Sequence, residues 1–167
     1  MIEKVLVANR GEIALRIMRT CREMEIETVA IYSTPDATSP HVMFADESVW
    51  VGEAASSESY LDIDKVIQAA KQTGADAIHP GYGFLSENGE FSNRCKDEDI
   101  IFIGPTAKSI RLMGDKTAAR DLMGKAGVPC PPGTKDAMED VDDAVKVARD
   151  VGFPVLVIAA PGGGGIR

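Results

Sequence analysis

An α/β fold, an open sheet of parallel strands joined by crossover helices, is what this sequence predicts, and three observations predict it. Five short apolar runs, residues 4–8, 28–32, 48–51, 75–79 and 100–104, read as strands. Segments of helical period lie between most of them, the alternation that a parallel sheet with crossovers requires. Hydrophobic residues make up 44% of the 167, enough to fill a core.

The elements follow in order. The first helix, about residues 12–25, places Ile13, Ile17, Cys21 and Met24 on one stripe, while Arg16, Arg19, Arg22 and Glu23 fall elsewhere. That stripe is expected to pack on the sheet. Residues 62–73 form a second helix, with Asp62 as a candidate cap and Gly74 as its stop, and residues 89–96 a third. Past Gly104-Pro105 the strand alternation ends. Two helical segments follow, 107–113 and 116–125, broken by Gly114 and closed by Gly127. Residues 128–133 carry three prolines and read as a linker, so the expected domains are 1–127 and 134–167. In the second, residues 140–150 are helix-like and 154–160 strand-like.

Composition excludes several classes. With 26 acidic against 18 basic residues the net charge is −8, which disfavours nucleic acid as a partner, because counterion release requires a basic face. No apolar stretch reaches the length of a membrane span, and the first residues enter a strand-like run at once, so neither a membrane nor a cleavable targeting segment is expected. Cys21, Cys95 and Cys130 form neither an even set nor a metal-ligand spacing. Reduced thiols in the cytoplasm or an organellar matrix are the expectation, with no metal site.

Four segments can carry chemistry. The turn Ala8-Asn9-Arg10-Gly11-Glu12 stands where βαβ proteins meet phosphate at a helix N-terminus, yet its single glycine lacks the dinucleotide fingerprint, so an NAD site is not expected. A tight turn at Gly11 with a local ion pair from Arg10 is the structural alternative. The run His79-Pro80-Gly81-Tyr82-Gly83-Phe84-Leu85-Ser86-Glu87-Asn88 leaves the carboxyl end of a predicted strand, where ligands bind in open α/β sheets. Its two glycines can project an aromatic face, and Glu87 or Asn88 can cap the next helix; a structural turn explains the same residues. His79 reads as a hydrogen-bonded strand-end residue before a base, and His41 carries less weight. In Met113-Gly114-Asp115-Lys116 a lysine enters the first turn of a helix against its dipole, which costs about half a kcal/mol and invites a bound phosphate as the reason, with chance as the rival. Last come residues 155–160, Pro161 and the glycines Gly162, Gly163, Gly164 and Gly165. Such a run exposes backbone N–H groups that can cradle phosphate, and it points to the front part of a larger nucleotide-using enzyme.

These segments, in this order and at these intervals, resemble the biotin carboxylase component of biotin-dependent carboxylases, including the acetyl-CoA, pyruvate and acyl-CoA carboxylases. The resemblance runs from Val5 to the last residue, and its further carriers are Phe102-Ile103-Gly104-Pro105 and Lys125-Ala126-Gly127-Val128-Pro129. It implies an ATP-grasp ligase in which ATP activates bicarbonate as carboxyphosphate and the carboxyl group passes to biotin. It also implies a Rossmann-like sheet with helices on both faces up to Gly127, followed by the opening of an incomplete lid subdomain. Lys116 and Gly162 to Gly165 would contact ATP. Tyr82, Gly83 and Glu87 would line the active-site loop, and Arg19 and Glu23 a dimer interface, an i,i+4 surface pair being the plain alternative.

Two departures from the family pattern stand out. The family's lid strand carries a phosphate-gripping lysine where this chain has Ile158, and its glycine flap is longer than the one that here leads directly into Ile166-Arg167. The resemblance places no catalytic residue within these 167, so the polypeptide alone is expected to be inactive and to bind neither ATP, Mg2+ nor biotin tightly. The implied partners are the remainder of the carboxylase, a biotin carboxyl carrier protein or domain and a carboxyltransferase, with a homodimer as a further expectation. A non-catalytic dimerisation module and the front domain of another ATP-grasp ligase, such as a carbamoyl-phosphate or purine-pathway enzyme, are the alternatives.

Overall fold

Residues 1–114, 116–130 and 140–157 are described by the structure, a computed structural model, without the side chains of Lys116 and Thr117. They fall into two compact units, Met1–Ile110 and Arg111–Arg167.

In the first unit, β1 (Lys4–Val7) leads through Gly11 into α1 (Gly11–Glu23), and β2 (Glu27–Ser33) is followed by a single 3-10 turn and the short helix α2 (Pro40–Phe44). Then come β3 (Glu47–Gly52), α3 (Ile63–Thr73), β4 (Ala77–His79), α4 (Gly89–Asp97) and the two-residue β5 (Ile101–Phe102), and α5 (Ala107–Gly114) runs across the boundary into the second unit. The five strands make one sheet in the order β3-β2-β1-β4-β5, every pair parallel. All five expected strands are present. β5 is shorter than the apolar run 100–104, although the Ile103 N–H still donates to Ile78 O at 2.9 Å. The short α2 has no period to betray it in sequence; Pro40, with its fixed φ, opens it.

Alternation along β1 divides the core. Val5 and Val7 face α1 with Ala14, Ile17, Met18 and Cys21, whereas Leu6 and Ala8 face α3 and α4 with Val66, Ile67, Phe91 and Cys95. A sheet with helices on both faces buries its strands twice over, which is why they read as continuous apolar runs. The inward stripe of α1 differs from the expected one at four positions. Ala14 and Met18 complete the buried set, Ile13 is only half-buried, and Met24 lies exposed at the C-cap, where the helix has ended.

Helix caps follow the sequence closely. Asp62 Oδ1 accepts the Lys65 N–H at 3.1 Å, and Gly74 ends α3 in the left-handed region. Asn88 Oδ1 accepts from the N–H groups of Glu90 and Phe91 at 2.9 and 3.0 Å, so Asn88 and not Glu87 caps α4. The thiols of Cys21, Cys95 and Cys130 are free, the first two buried. Burial pushes the Cys95 thiol up to about 12.

The second unit contains α6 (Lys116–Lys125) and α7 (Val141–Val151), the latter capped by Asp140, whose Oδ1 accepts the Asp142 N–H at 2.6 Å. Val141, Val145 and Val151 on α7 are exposed, as are Phe153, Leu156 and Val157 beyond it. Residues 154–157, expected in a strand, pair with nothing among the described residues. An apolar run forms a ladder only beside another strand, and the described part of this unit has none. Residues 158–160 and the expected linker residues 131–133 lie outside the described residues. No helix among the described residues is long and apolar enough to cross a membrane.

Candidate functional site

The strand order reverses between β1 and β4. The chain leaves β1 toward β2 and β3 on one side, then returns to β4 and β5 on the other, so the loops above β1 and β4 diverge over the crevice where open α/β sheets bind ligands. Both loops are ones singled out from sequence, residues 8–12 and 79–88.

Asn9, 3% exposed, joins them. Its Nδ2 donates to Pro80 O at 2.9 Å and to Tyr82 O at 2.8 Å, and its Oδ1 accepts the Arg10 N–H at 2.9 Å. Both amide hydrogens and the oxygen are therefore used, as a buried amide requires. Gly81, at φ 66°, closes against this side chain; a Cβ there would lie 2.8 Å from Asn9 Nδ2, so only glycine permits the approach. His79 Nδ1 accepts the Gly81 N–H at 3.0 Å, and burial lowers the imidazole pKa, which leaves it the neutral, hydrogen-bonded strand-end residue that its position suggested.

Beyond Gly81 the loop sorts its side chains. Phe84 and Leu85 point inward: Leu85 is 2% exposed, and Phe84 stacks on Tyr60 with centroids 5.2 Å apart and planes at 18°. Tyr82, Gly83 and Glu87, the three residues expected to line a site, are all exposed on one loop. Gly83 adopts φ 63°, ψ −162°, a region essentially closed to side chains, although a Cβ there would meet open space. The glycine is thus required by backbone geometry alone. Phe84 follows at φ 44°, uncommon for an aromatic residue, and its stacking on Tyr60 occupies the core side of the turn. The Tyr82 hydroxyl donates to Glu12 Oε1 at the start of α1.

A second polar cluster supports the first loop from behind. Arg10 Nη1 lies 3.1 Å from Asp36 Oδ2, and Asp36 also accepts from Tyr60 Oη at 2.6 Å, Ser33 Oγ at 3.0 Å and Ser39 Oγ at 3.3 Å. Burial pushes the Asp36 carboxyl up, but hydrogen bonds from Tyr60 and Ser33, the Arg10 charge and the Ser39 hydroxyl outweigh it, so its pKa falls below the ordinary carboxylate value. Arg10 does make an ion pair, but to a distant loop rather than a local one. Beneath this cluster His41 is fully buried; its Nε2 faces Ile31 O at 3.3 Å, its Nδ1 has no partner among the described residues, and burial lowers its pKa.

Sequence reasoning passed over Asn9, Asp36 and Tyr60 as individuals. Asn9 and its turn were visible as a motif, but nothing in the spacing marks Asp36 and Tyr60, which meet only once the loops after β2 and β3 are folded. Lys116 opens α6 in the second unit, and its side chain, like Gly162 to Gly165 and Ile158, lies outside the described residues. Arg19 and Glu23 are both exposed on α1, with no ion pair between them among the described residues. No group of three or more potential metal ligands occurs among the described residues.

The family model for the biotin carboxylase N-terminal domain matches residues 1–110, the whole of the first unit. This chain belongs to the biotin carboxylase N-terminal domain family. Residues 115–166 match a second model, the ATP binding domain of the carbamoyl-phosphate synthase L chain. A biotin carboxylase of Nostoc sp. is 54% identical over 98% of this chain and 36% of its own length. Among solved structures, the Campylobacter jejuni biotin carboxylase in complex with β,γ-ATP is 47% identical with a TM-score of 0.91, covering 98% of this chain and 37% of that one. The biotin carboxylase domain dimer of Hydrogenobacter thermophilus 2-oxoglutarate carboxylase, bound to MgADP, ADP and bicarbonate, is also 47% identical, with a TM-score of 0.89 over 98% of this chain and 36% of that one. The chain therefore spans a little over a third of the length of these biotin carboxylases.

Proposed function

We propose that this biotin carboxylase N-terminal domain supplies the front wall of an ATP-dependent ligase that carboxylates biotin with bicarbonate, through carboxyphosphate. The observation that carries the reading is the convergence of the 8–12 and 79–88 loops at the switch point, in a chain whose first unit matches this family throughout. On this reading Tyr82 offers a flat apolar face, Gly83 leaves open space beside the backbone for a close approach, and Glu87 brings a carboxylate to the same loop. Lys116 contacts ATP phosphate, which gives its position against the α6 dipole a purpose, and Gly162 to Gly165 form a flap over the nucleotide. The Mg2+ that accompanies ATP draws its ligands from outside the described residues, which hold no cluster of carboxylates able to bind it.

The wider assignments belong to the same proposal. The front domain extends to about Gly127 and the lid opens at about residue 134. Arg19 and Glu23 face a second copy in a homodimer. The partners are the remainder of the carboxylase, a biotin carboxyl carrier and a carboxyltransferase, in the cytoplasm or an organellar matrix. Phosphoryl transfer needs several groups stabilising charge at once, so the 167 residues alone do not turn over. Two assays test this. In the parent-length ligase, Lys116→Ala should raise KM for ATP and lower ATP- and bicarbonate-dependent biotin carboxylation by about a hundredfold, the scale of losing one preorganised charge donor; unchanged kinetics would remove Lys116 from the site. Bicarbonate-dependent ADP release by the 167-residue chain, above its Lys116→Ala control, would refute the expectation of inactivity.

A further inference from the structure

Tyr82 is an exposed aromatic residue held at both ends. Its carbonyl accepts a hydrogen bond from buried Asn9, and its hydroxyl donates to the carboxylate of Glu12, so the backbone and the tip are both tied to the turn after β1, some seventy residues away in sequence. A surface tyrosine has no structural need of such restraint: Tyr82 is 62% exposed and belongs to neither core cluster. The inward anchoring of the loop is already provided by Phe84 and Leu85. Glu12, for its part, joins no ion pair among the described residues; Arg16, one turn further along α1, directs its guanidinium to Thr20.

We propose that Glu12 is a positioning residue for Tyr82: it fixes the ring and commits the phenol proton to the protein, so that Tyr82 meets its ligand with the ring face and not as a hydrogen-bond donor. A carboxylate can only accept, which settles the direction of the bond. Ring rotation that would otherwise be frozen at binding is then frozen beforehand, which is how preorganisation strengthens a contact without adding one. The direction of the Tyr82 pKa agrees, since the hydrogen bond to Glu12, followed by the charge of that carboxylate, raises it above the ordinary phenol value. The ligand part of the inference rests on the biotin carboxylase reading above and adds a recognition chemistry to it: a flat, weakly polar ring system laid against the phenol.

Two measurements test the inference separately from the reading beneath it. In the 167-residue chain with 13Cζ-labelled tyrosine there are three tyrosine resonances, and Tyr82→Phe assigns the relevant one. Glu12→Gln should lower the titration of Tyr82 toward the free phenol value while leaving Tyr32 and Tyr60 unmoved; a Tyr82 titration indifferent to Glu12 overturns the positioning role. In the parent-length ligase, Glu12→Gln should raise KM for free biotin about three- to tenfold with KM for ATP unchanged, the scale of one partly solvated hydrogen bond to a charged group. Tyr82→Phe should reproduce that loss, and the double variant should add nothing to it. Fully additive losses would mean that Glu12 acts elsewhere and would overturn the inference. If the Tyr82 titration follows Glu12 but KM for biotin ignores both substitutions, the positioning stands and the ligand part falls together with the biotin reading of this loop.

Discussion

Asn9→Asp is nearly isosteric, yet it reverses the chemistry at the joint between the two site loops. In the native chain the Asn9 amide donates at 2.9 Å to Pro80 O and at 2.8 Å to Tyr82 O from a side chain only 3% exposed. An ionised aspartate would set a carboxylate oxygen against two carbonyl oxygens at those distances. Each lost bond costs about 1 kcal/mol net, and each carbonyl left without a donor about 1–3 kcal/mol more, the lower end for Tyr82 O because it is only part-buried. The sum is about 4–6 kcal/mol at neutral pH, a third or more of the stability of an ordinary domain. Protonating the carboxyl restores one donor. Burial among acceptors raises the folded-state pKa of this aspartate above its unfolded value, so the penalty falls to that of the one donor still missing below the unfolded pKa and grows as pH rises through the folded one. Urea titration followed by the fluorescence of the single tryptophan, Trp50, reports the difference as a lower midpoint at unchanged slope. A penalty under about 1 kcal/mol at pH 7.5, or one equally large at pH 4, would refute the claim that Asn9 works as a two-donor clamp.

Tyr60→Phe removes the donor to Asp36 and the acceptor for the Ser33 N–H, both buried, and should cost about 1–3 kcal/mol in urea unfolding at pH 7. Because the folded-state pKa of Asp36 is depressed, its contribution is present above the unfolded pKa and is lost as pH falls through the folded one; in Tyr60→Phe the folded pKa moves up toward the unfolded value, so that loss should be smaller and complete at a higher pH, as acid unfolding curves of the two proteins would reveal. Gly83→Ala should cost about 1–3 kcal/mol through backbone strain alone, since a Cβ there meets nothing within 4 Å; an alanine variant of native thermal stability would contradict the φ of 63° assigned to this residue.

Much of the architecture is legible because parallel strands covered on both faces must be apolar along their centres, as Val5 to Val7 in β1, Val29 to Ile31 in β2 and Ala77 and Ile78 in β4 are. Caps at Asp62 and Asn88 were equally readable, since each hydrogen-bonds within three residues of itself. The site was legible as two loops, not as an arrangement. That Asn9 reaches Pro80 and Tyr82, or that Asp36 gathers Arg10 and Tyr60, depends on which strands become neighbours, and local periodicity carries no information about strand order. The inward stripe of α1 was misread at Met24 because hydrophobicity marks a helical face without marking where the helix stops. Residues 154–157 look like a strand for a similar reason: composition states a preference, and a partner strand has to satisfy it.

The sheet order has a consequence for how this protein is made. β1 sits at the centre, pairing with β2 on one side and with β4 on the other, and its register with β4 joins Val5 to Ala77 and Val7 to His79. The ribosome therefore releases the middle of the sheet first, and one of its two edges stays open until a further seventy or so residues have been synthesised. During that interval an apolar strand with unpaired N–H and C=O groups is exposed, which is the hazard of parallel topologies that close through distant contacts. Slowing elongation between β1 and β4 lengthens the exposure, so cellular yield should depend on translation speed and on chaperone supply more than the finished fold's stability would suggest.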